Sequence, residues 1–598
     1  MKRIVTILFV LAVLLNSSSA AMRKPAKVKV LNNLVSELLN VSGDKELYAF
    51  TNPRDGWVFV SSTADVQDGD VVVSVPSAPS HSVFNIHRAG QAAVQEAMHY
   101  LPAGQYDIKV QSFGKSRLRK LIVRAIPELF YSNFESQPLI GEFPKYTWEW
   151  LEENGILANT TTIIGNEIHP KPVEDRFAFH YYNIKPLKQW KAKGRRWLTE
   201  CEIPGLHDPN MTAQEAFDYW SSRPGMANPD MDGIIVDEFY NESRPKMKNY
   251  PKWFKAMEMF AKDKRFEGKA FYPYCAGGYK GFIPLIRKSV ELGNMFATEQ
   301  YLREQPTEQE DWEYIRKSLA GYVDGLSEVV PGANRQVIFA LGLMTLPEGT
   351  FNTDPSVSNK THLDMQMWTI ANDPNLMGTY GIFPYLSKYA DEEYLRFYFK
   401  LCRHYCIEGK KERFSNDPYI LGHIDNPDFD DGLTGWEIEE AEPGSIAAKT
   451  KKGLGYLQGR YAKFINGDNY LWMKRSPAGA NKVTQRIRNL EPGRYYSVKM
   501  ITSDLLNFTT QKWHKASLKI DGVEPVADRS FVHQFSNRWG RHWLSNEERQ
   551  AKRYKYFNYH YQVFKARSEQ AQITISDKAG QGDQELMVNF IEVEPYFY

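Results

Sequence analysis

The residues best suited to chemistry are acidic side chains at the ends of short β-rich runs in the middle of the chain. In one run, apolar β-branched residues lead directly into Asp237 and Glu238, and two other runs carry Glu200 with Glu202, and Glu299. Neighbouring carboxyl groups raise one another's pKa, so that one can hold a proton while another is ionised. The pattern therefore predicts acid–base chemistry by paired carboxyl groups.

Cleavage of a glycosidic bond requires such a pair. One carboxyl group must protonate the leaving oxygen, while the other attacks the sugar or activates a water molecule. We predict Glu238 as the acid/base and Glu299 as its partner carboxylate, either the nucleophile or the base. Glu200 is the reserve for the second position. The sequence thus favours a glycoside hydrolase.

The face of the strand on which each acid lies is predicted from alternation along the run. Glu238 shares its parity with Ile234 and Val236, and successive side chains of a strand point to opposite faces. We therefore expect Asp237 to face the other way and to orient or hold the end of the strand.

Each of these acids also has a structural explanation, because acids at strand ends cap the following helix or pair with Arg and Lys. For a single acid, this explanation is as good as a catalytic one. Three acid-bearing strands around one rim shift the balance toward an active site.

Tyrosines and amides at the same strand ends predict contacts to a sugar. Aromatic rings stack on the C–H faces of pyranoses, and amides hydrogen-bond to hydroxyl groups. For any one tyrosine, ordinary packing is the simpler explanation. The predicted contacts are Tyr131, Asn133, Asn166, Glu202, Tyr272, Tyr274, Gln300, Tyr301, Tyr380 and Tyr385.

Eight β-like runs alternate with helical patterns between residues 121 and 413. This alternation predicts a closed (β/α)8 barrel of the TIM type, in which catalytic groups lie at the carboxyl ends of the strands. An open doubly wound sheet is the alternative, but no glycine-rich fingerprint follows the first run. The predicted strands are 125–134, 161–166, 196–202, 233–239, 269–275, 294–301, 336–344 and 377–384.

Three further segments flank the barrel. Residues 1–21 have a basic start, an apolar run too short to span a bilayer and small residues before a cleavage point, which predicts a signal peptide and a secreted or periplasmic protein. Residues 22–120 contain short β-rich runs between turn formers and predict an N-terminal β-sandwich. Residues 414–598 return to β-rich runs.

The C-terminal segment carries a known pattern. It has Asn-Pro-x-Phe at 426–429, Gly-x-x-Gly-Trp at 432–436 and a Leu-x-Pro-Gly-x-Tyr-Tyr strand entry at 490–496. These residues resemble a jelly-roll carbohydrate-binding module, which implies a β jelly roll over 414–598 that aids glycan binding or packing. The acid-bearing strand ends resemble glycoside hydrolase barrels in general, without matching a particular family.

One departure from those hydrolases leaves a second hypothesis open. Their commonest pattern places an acid on the seventh strand, and the run 336–344 has none. The alternative is therefore a noncatalytic glycan-binding protein with a degenerate barrel. A lyase or an isomerase could also use the same acids.

Composition argues against other classes of function. The chain has 74 Lys and Arg against 72 Asp and Glu, so no net field favours nucleic acid. No Gly-x-Ser-x-Gly elbow, P-loop, HExxH motif or Cys/His cluster of metal-site spacing is present. We expect a monomer without a membrane span or a barrel cofactor, whose partner is a polysaccharide or oligosaccharide.

An acidic turn opens the C-terminal segment. Asp425, Asp428, Asp430 and Asp431 lie close together in sequence, and carboxylate oxygens are the ligands that calcium prefers. A structural calcium in this domain is one explanation, and a solvated acidic turn is the other.

Overall fold

The computed structural model describes residues 27–79, 82–132, 138–165, 184–239, 249–347, 349–460, 466–511, 516–537, 547, 550–551 and 553–598. The described chain forms two compact units, one mainly of Val35–Ile126 and the other mainly of Pro127–Lys191 and Arg195–Tyr598. The division falls a few residues beyond the predicted boundary at residue 120, because the last strand of the first unit continues to Ile126. The barrel and the C-terminal sheets belong to the same unit.

The first unit is a pair of antiparallel sheets. One has the strand order β1-β2-β9-β4-β7 and the other has the order β3-β8-β5-β6, where the strands are β1 Lys29–Val30, β2 Ser36–Ser42, β3 Leu47–Asn52, β4 Gly56–Asp65, β5 Val71–Ser74, β6 Val83–His87, β7 Val94–Leu101, β8 Gly104–Ser112 and β9 Arg117–Ile126. Val58 and Val60 of β4 share a core with Val71 and Val73 of β5. Alternation of apolar residues along both sheets thus builds a sandwich-like core.

The second unit contains a closed barrel of eight parallel strands, which confirms the predicted barrel. Its strands are β10 Glu128–Ser132, β11 Thr162–Gly165, β12 Arg196–Cys201, β13 Gly233–Phe239, β14 Ala270–Cys275, β15 Phe296–Gln300, β16 Val337–Gly342 and β17 Gly381–Tyr385. Each lies within one of the eight predicted runs or differs from it by a residue at one end. Buried parallel strands read as continuous apolar runs, and these runs made the strands recognisable.

Helices and single turns connect the barrel strands. The α-helices of the described unit are α1 Trp148–Glu153, α2 Ile184–Ala192, α3 Ala213–Ser221, α4 Pro224–Ala227, α5 Tyr250–Lys262, α6 Ile283–Leu292, α7 Glu308–Val329, α8 Asn359–Asn372, α9 Glu392–Leu401 and α10 Leu454–Leu457. A π-helical turn, Cys402–Ile407, extends α9. The start of α3 is fixed by a capping box between Thr212 and Glu215, which satisfies exposed backbone N–H groups.

Apolar and aromatic side chains fill the barrel. Inward residues from all eight strands form one buried cluster, which includes Phe130, Ile164, Leu198, Ile235, Tyr272, Tyr274, Ala297, Ile338, Ala340 and Phe383. Because side chains alternate along a strand, the cluster identifies the positions that face the barrel axis. Two residues after the last cluster residue of a strand, the next inward side chain lies at the open carboxyl end of the barrel.

The C-terminal segment forms two antiparallel sheets around a shared core. The sheets have the orders β18-β21-β26-β23 and β19-β20-β27-β22-β25-β24, with strands β18 Glu437–Glu439, β19 Ile446–Thr450, β20 Asn469–Lys474, β21 Lys482–Ile487, β22 Tyr495–Asp504, β23 Ser517–Asp521, β24 Val523–Ser536, β25 Tyr556–Ala566, β26 Ala571–Ser576 and β27 Glu585–Pro595. Leu471, Val498 and Ile573 belong to the core between them. This is the predicted sandwich-like arrangement.

The six-stranded sheet is buried on its second face as well. Tyr559 and Tyr561 of β25 belong to a second apolar cluster, which also contains Ile140 and Phe143 from the loop after β10 and Leu346 from the loop after β16. The C-terminal sheets are therefore packed onto the barrel through a large apolar contact.

A buried ionic cluster lies in the same contact. Lys499 Nζ of β22 is 2.5 Å from Glu592 Oε2 and 2.6 Å from Glu594 Oε1 of β27. Lys360 Nζ of α8 is 3.1 Å from Glu594 Oε1 and 2.5 Å from Glu393 Oε1 of α9. Two lysines thus lie among three buried glutamates, and the cluster joins two barrel helices to the C-terminal sheet.

In the described part of the chain, no helix has the length and apolar character that crossing a bilayer requires. The predicted signal peptide, residues 1–21, lies outside the described residues.

Candidate active site

Three acidic side chains point into the carboxyl-terminal mouth of the barrel. Glu200 lies on β12, Asp237 on β13 and Glu299 on β15. Each follows by two residues an inward residue of the barrel cluster, in the order Leu198, Ile235 and Ala297. Catalytic groups of such barrels lie at this end of the strands, and the described structure brings together three of the four predicted acids there.

The expected orientation of Asp237 is wrong. Asp237 shares its side of β13 with the inward Ile235 and is hydrogen-bonded to Glu200. Ile234 and Val236, used for the parity argument, are fully buried but outside the barrel cluster. Asp237 therefore faces the mouth, and Glu238 is the residue that departs from the inward series.

A β-bulge explains the position of Glu238. Val236 pairs with Pro273 of β14, but Phe239 pairs with Cys275, so β13 contains one extra residue. Glu238 has φ of 56°, a left-handed conformation that costs a non-glycine residue about 1 kcal/mol or more. Its side chain is exposed at the rim. Because of the extra residue, the side chain of Phe239 lies on the outer face of the barrel, whereas uninterrupted alternation would have turned it inward.

Two contacts hold the bulge in place. The ring of Phe239 packs against Trp220 of α3 and Trp253 of α5, with centroid distances of 6.4 and 5.8 Å. The backbone N–H of Glu238 donates to Asp237 Oδ1 at 2.8 Å. The aromatic contacts fix the strand from outside, and the hydrogen bond orients the Asp237 carboxyl group inside.

Glu200 and Asp237 form a carboxyl pair. Burial raises the pKa of Glu200 well above its usual range, and the charge of Asp237 raises it further. Burial also raises the pKa of Asp237 to about 6, although the hydrogen bond from Glu200 opposes that rise. At neutral pH Glu200 thus holds a proton that it donates to ionised Asp237.

Glu299 is half-buried beside two tyrosines. Tyr301 OH donates to Glu299 Oε1 at 3.3 Å, and the hydroxyl groups of Tyr274 and Tyr301 are hydrogen-bonded to each other. Burial, followed by the charge of Asp237, raises the pKa of Glu299 to about 7. The tyrosine hydrogen bonds favour the ionised form and keep the pKa from rising further.

An aromatic wall adjoins Glu299. The Tyr301 ring stacks on Tyr385 at 5.1 Å, and Tyr385 stacks on Tyr389 at 6.5 Å. Tyr385 and Tyr389 are half-buried, and burial together with the neighbouring Asp237, Glu200 and Glu299 carboxyl groups raises the pKa of the Tyr385 hydroxyl. The mouth therefore combines carboxyl groups with rings of the kind that bind sugars.

A cavity of about 1130 Å³ opens beside the carboxyl pair. Its walls come from β12, β13, the loop after β12 and the segment joining α3 to α4; they include Glu200, Glu202, Asp208, Tyr219, Arg223, Asp237 and Glu238. Small-molecule sites commonly occupy about 300–1000 Å³. The cavity is thus large enough for a ligand of more than one ring.

The other predicted sugar contacts divide into three groups. Tyr274, Tyr301, Tyr385 and Glu202 lie at the mouth or the cavity, whereas Gln300 is buried on the side of β15 opposite to Glu299. Tyr131, Tyr272 and Tyr380 do not reach the mouth. Asn133 and Asn166 lie outside the described residues.

Packing explains the three tyrosines that lie elsewhere. Tyr131 is fully buried against Phe399 of α9, at a ring distance of 6.0 Å. Tyr380 precedes β17 at the amino end of the barrel, and its ring is 6.5 Å from Tyr272. The Tyr272 hydroxyl donates to Glu128 Oε2 at 2.9 Å. These side chains stabilise the wall and the floor of the barrel.

Sequence reasoning missed four side chains near the site. Lys388 and Tyr389 follow the last barrel strand, and the charge of Lys388 acts on Glu200. Tyr219 and Arg223 belong to the cavity wall. Neither pair belongs to a sequence motif. The position of Lys388 and Tyr389 directly after a barrel strand could have identified them as candidates for the site.

The acidic turn of the C-terminal segment is engaged by protein groups. Asp428 is buried in an ion pair with Arg460, whose Nη2 donates to Oδ1 at 2.9 Å. Asp425 pairs with Arg488, and Asp430 accepts from Asn469. Among the described residues, no group of three or more His, Cys, Asp or Glu is arranged to hold a metal ion. A structural calcium, one of the two explanations for this turn, stays a prediction.

Comparisons with known proteins give distant likenesses only. No family model and no curated protein matches the chain. Solved structures include an arabinofuranosidase (8% identity, 76% of this chain and 98% of that one, TM-score 0.33) and fungal β-1,4-galactanases (10%, 46% and 99%, 0.30). A carbohydrate-binding module, TmCBM61 with β-1,4-galactotriose, is also similar (9%, 29% and 97%, 0.17). These values assign no family.

Proposed function

We propose that the protein is a glycoside hydrolase whose catalytic carboxyl groups are Asp237 and Glu299. The observation that carries the proposal is the trio of inward acids at the barrel mouth. The charge of Lys388 opposes the rise in the pKa of Glu200, and burial outweighs it. Neighbouring carboxyl groups that raise one another's pKa are suited to exchanging protons with a substrate.

The pKa order supports a division of roles. Asp237, with a pKa of about 6, is the ionised carboxylate that attacks the sugar or activates water. Glu299, with a pKa of about 7, is the proton donor to the leaving oxygen. Protonated Glu200 holds Asp237 by its hydrogen bond and is a positioning residue. Glu238, exposed at the rim, is then a contact to substrate and not the acid/base.

The proposal is tested by screening the purified protein against neutral, cationic and uronate-containing polysaccharides, with release of reducing ends as the readout. On any polysaccharide that is cleaved, Asp237→Asn and Glu299→Gln should each reduce kcat by about 100-fold or more. Glu267→Gln removes an exposed carboxylate away from the cavity and should leave kcat unchanged.

The pH dependence gives a second measurement. Activity should rise as Asp237 ionises near pH 6 and fall as Glu299 loses its proton near pH 7, which gives a narrow bell for kcat/KM. The two apparent values belong to the coupled pair. Full activity of Asp237→Asn would refute the assignment. Binding of a glycan without cleavage by the wild type would instead favour a noncatalytic binding protein.

We also propose that the protein acts outside the cytoplasm, because the basic and apolar start of the chain predicts an export signal. Mass spectrometry of the protein expressed in a secreting host should find the first 21 or so residues removed. An intact N-terminus on exported protein would contradict the predicted cleavage.

A further inference from the structure

The loop after β16 contacts both the barrel mouth and the C-terminal sheets. It consists of residues 343–358, most of which are buried where the structure describes them. Thr350 and Asn352 contact the C-terminal segment, whereas Phe351 between them contacts Tyr301 of the mouth. This one stretch of chain therefore links the C-terminal sheets to a hydrogen-bond partner of Glu299.

Hydrogen bonds join this loop to the C-terminal segment. The backbone N–H of Thr350 donates to the carbonyl oxygen of Gly459 at 2.8 Å. Asn352 Nδ2 donates to Glu592 Oε1 of β27 at 2.7 Å. Thr350, Asn352 and Glu592 are buried, and hydrogen bonds in such surroundings are electrostatically stronger than in water. The C-terminal segment therefore fixes the position of the loop.

The other side of the loop packs against Tyr301. The centroids of the Phe351 and Tyr301 rings are 5.9 Å apart. Gly342, the last residue of β16, leaves room for this contact, because a Cβ atom there would lie 3.2 Å from the Phe351 ring and from Cα and Cβ of Tyr301. Such distances are shorter than the optimal separation of two carbon atoms. The end of β16 and the loop that follows it thus form the seat of the Tyr301 ring.

The loop after β15, which carries Tyr301, is tied to the same segment at a second point. Glu304 Oε1 accepts a hydrogen bond from the backbone N–H of Asp354 at 3.2 Å, and its Oε2 accepts from Asn359 Nδ2 at 3.0 Å. Glu304 is itself buried. Because Glu304 follows Tyr301 by only three residues, these bonds restrict the position from which the Tyr301 hydroxyl donates to Glu299.

We propose that the C-terminal sheets are part of the active site, because they hold residues 350–354, which place the Tyr301 hydroxyl against Glu299. Asn352, Phe351 and Tyr301 are then positioning residues. The inference rests on the proposed function for the role of Glu299 in proton transfer, but the hold of Tyr301 on Glu299 is measurable without any cleavage. It gives the C-terminal sheets a role in the chemistry that is separate from any binding of glycan.

The test follows the pKa of Glu299, which the hydrogen bond from Tyr301 lowers. This pKa is obtained from the free energy of unfolding in urea, measured from about pH 5 to pH 9 in each background with and without Glu299→Gln. A general loss of stability cancels in this difference. The titratable side chains that act on Glu299 include Asp237, Glu238 and Tyr274, and none of the variants changes them.

Two variants interrupt the link at its two ends. Tyr301→Phe removes the hydroxyl and should raise the pKa of Glu299 by about 1, which corresponds to one hydrogen bond. Asn352→Ala keeps the hydroxyl but releases the loop from β27, and should raise the pKa of Glu299 by about 0.5. On any glycan that is cleaved, the alkaline limb of the pH profile should move to higher pH by the same amounts.

Tyr394→Phe is the matched control for Asn352→Ala. The Tyr394 hydroxyl of α9 donates to Glu594 Oε1 of β27 at 3.2 Å, so both variants remove one donor to a buried glutamate of the same strand. Of the two residues, only Asn352 belongs to the loop after β16. Tyr394→Phe should therefore leave the pKa of Glu299 and the alkaline limb unchanged.

The outcomes separate this inference from the proposed function. An unchanged pKa of Glu299 in Tyr301→Phe or in Asn352→Ala overturns the inference, and so does an equal rise in Tyr394→Phe. If Asn352→Ala folds poorly, Asn352→Leu removes the same donor while keeping the volume of the side chain, and the same outcomes apply. A wild type that cleaves no glycan but shows the expected pKa shifts overturns the hydrolase and supports the link from the C-terminal sheets to Glu299.

Discussion

Two groups of buried carboxyl groups in the second unit differ in the charges beside them. At the barrel mouth, Glu200, Asp237 and Glu299 adjoin one another, and burial raises the pKa of each. In the ionic cluster, Glu594 is fully buried. There Lys360 and Lys499 more than offset the effect of burial and lower the pKa of Glu594 to about 2.

The comparison shows how neighbouring lysines change the pKa of a buried glutamate. Burial disfavours a carboxylate in both places, and only Glu594, which contacts both lysines, is returned to the ionised form; Glu393 and Glu592, with one lysine each, have a pKa raised to about 7. A carboxyl group held permanently ionised by two lysines cannot exchange its proton at neutral pH. Glu594 therefore stays ionised as a link between the barrel helices and the sheet, whereas the carboxyl groups of the mouth can titrate.

The largest expected effect comes from removing a cation from the ionic cluster. Lys499→Met keeps the length of the side chain but leaves Glu592 and Glu594 with Lys360 alone. Breaking a buried ion pair costs about 3–5 kcal/mol, and we expect a loss of that size in the free energy of unfolding measured with urea.

A surface pair provides the matched control for Lys499→Met. Lys519 pairs with Asp521 at 2.7 Å, but its side chain is 69% exposed. Exposed pairs contribute at most about 1 kcal/mol, so Lys519→Met should have a small effect. Equal losses in the two variants would mean that burial of the cluster does not matter.

A smaller effect should be seen in the pH dependence of stability. The pKa of Glu299 in the folded protein, about 7, lies above that of an unfolded glutamate, about 4.3. The folded state therefore binds more protons between these values, and stability falls as pH rises through this range. Glu299→Gln removes this loss, so at pH 8 the variant should be more stable than the wild type by about 1–2 kcal/mol, after allowance for partial solvent exposure.

The same comparison at low pH is the internal control. At about pH 4 the wild-type Glu299 is protonated, so the two proteins should differ much less. A stability difference independent of pH would contradict the raised pKa and would attribute the change to packing.

The sequence predicts where the strands of the barrel lie, but it does not predict which way their side chains point. Gly233–Phe239 was predicted with the bounds that the structure has, because a parallel strand covered on both faces is apolar throughout. For the same reason, Ile234, Ile235 and Val236 carry no alternation that distinguishes inside from outside. The parity of Asp237 and Glu238 was therefore undetermined, and the bulge at Glu238 left no signal in composition.

Contacts between segments that are distant along the chain could not be predicted from the sequence either. Lys388 acts on Glu200, and Lys499 contacts Glu592 and Glu594, but no local pattern links these positions. Conversely, the C-terminal sheets were predicted from turn and strand signals, whereas their apolar contact with Phe143 and Leu346 depends on tertiary packing alone. Local physics thus predicted the elements, and long-range packing decided the electrostatics.

The smallest expected effect is at Glu200, and it sharpens the comparison most directly. Glu200 is already protonated at neutral pH and donates to Asp237, so Glu200→Gln keeps a neutral hydrogen-bond donor of the same shape and should change the free energy of unfolding by less than about 1 kcal/mol. The identical change at Glu594 removes an ionised partner of Lys360 and Lys499 and should cost about 2–3 kcal/mol. Both are measured by urea unfolding at pH 7. A loss at Glu200 as large as that at Glu594 would mean that Glu200 is ionised, and the proton assignment at the barrel mouth would then have to be reversed.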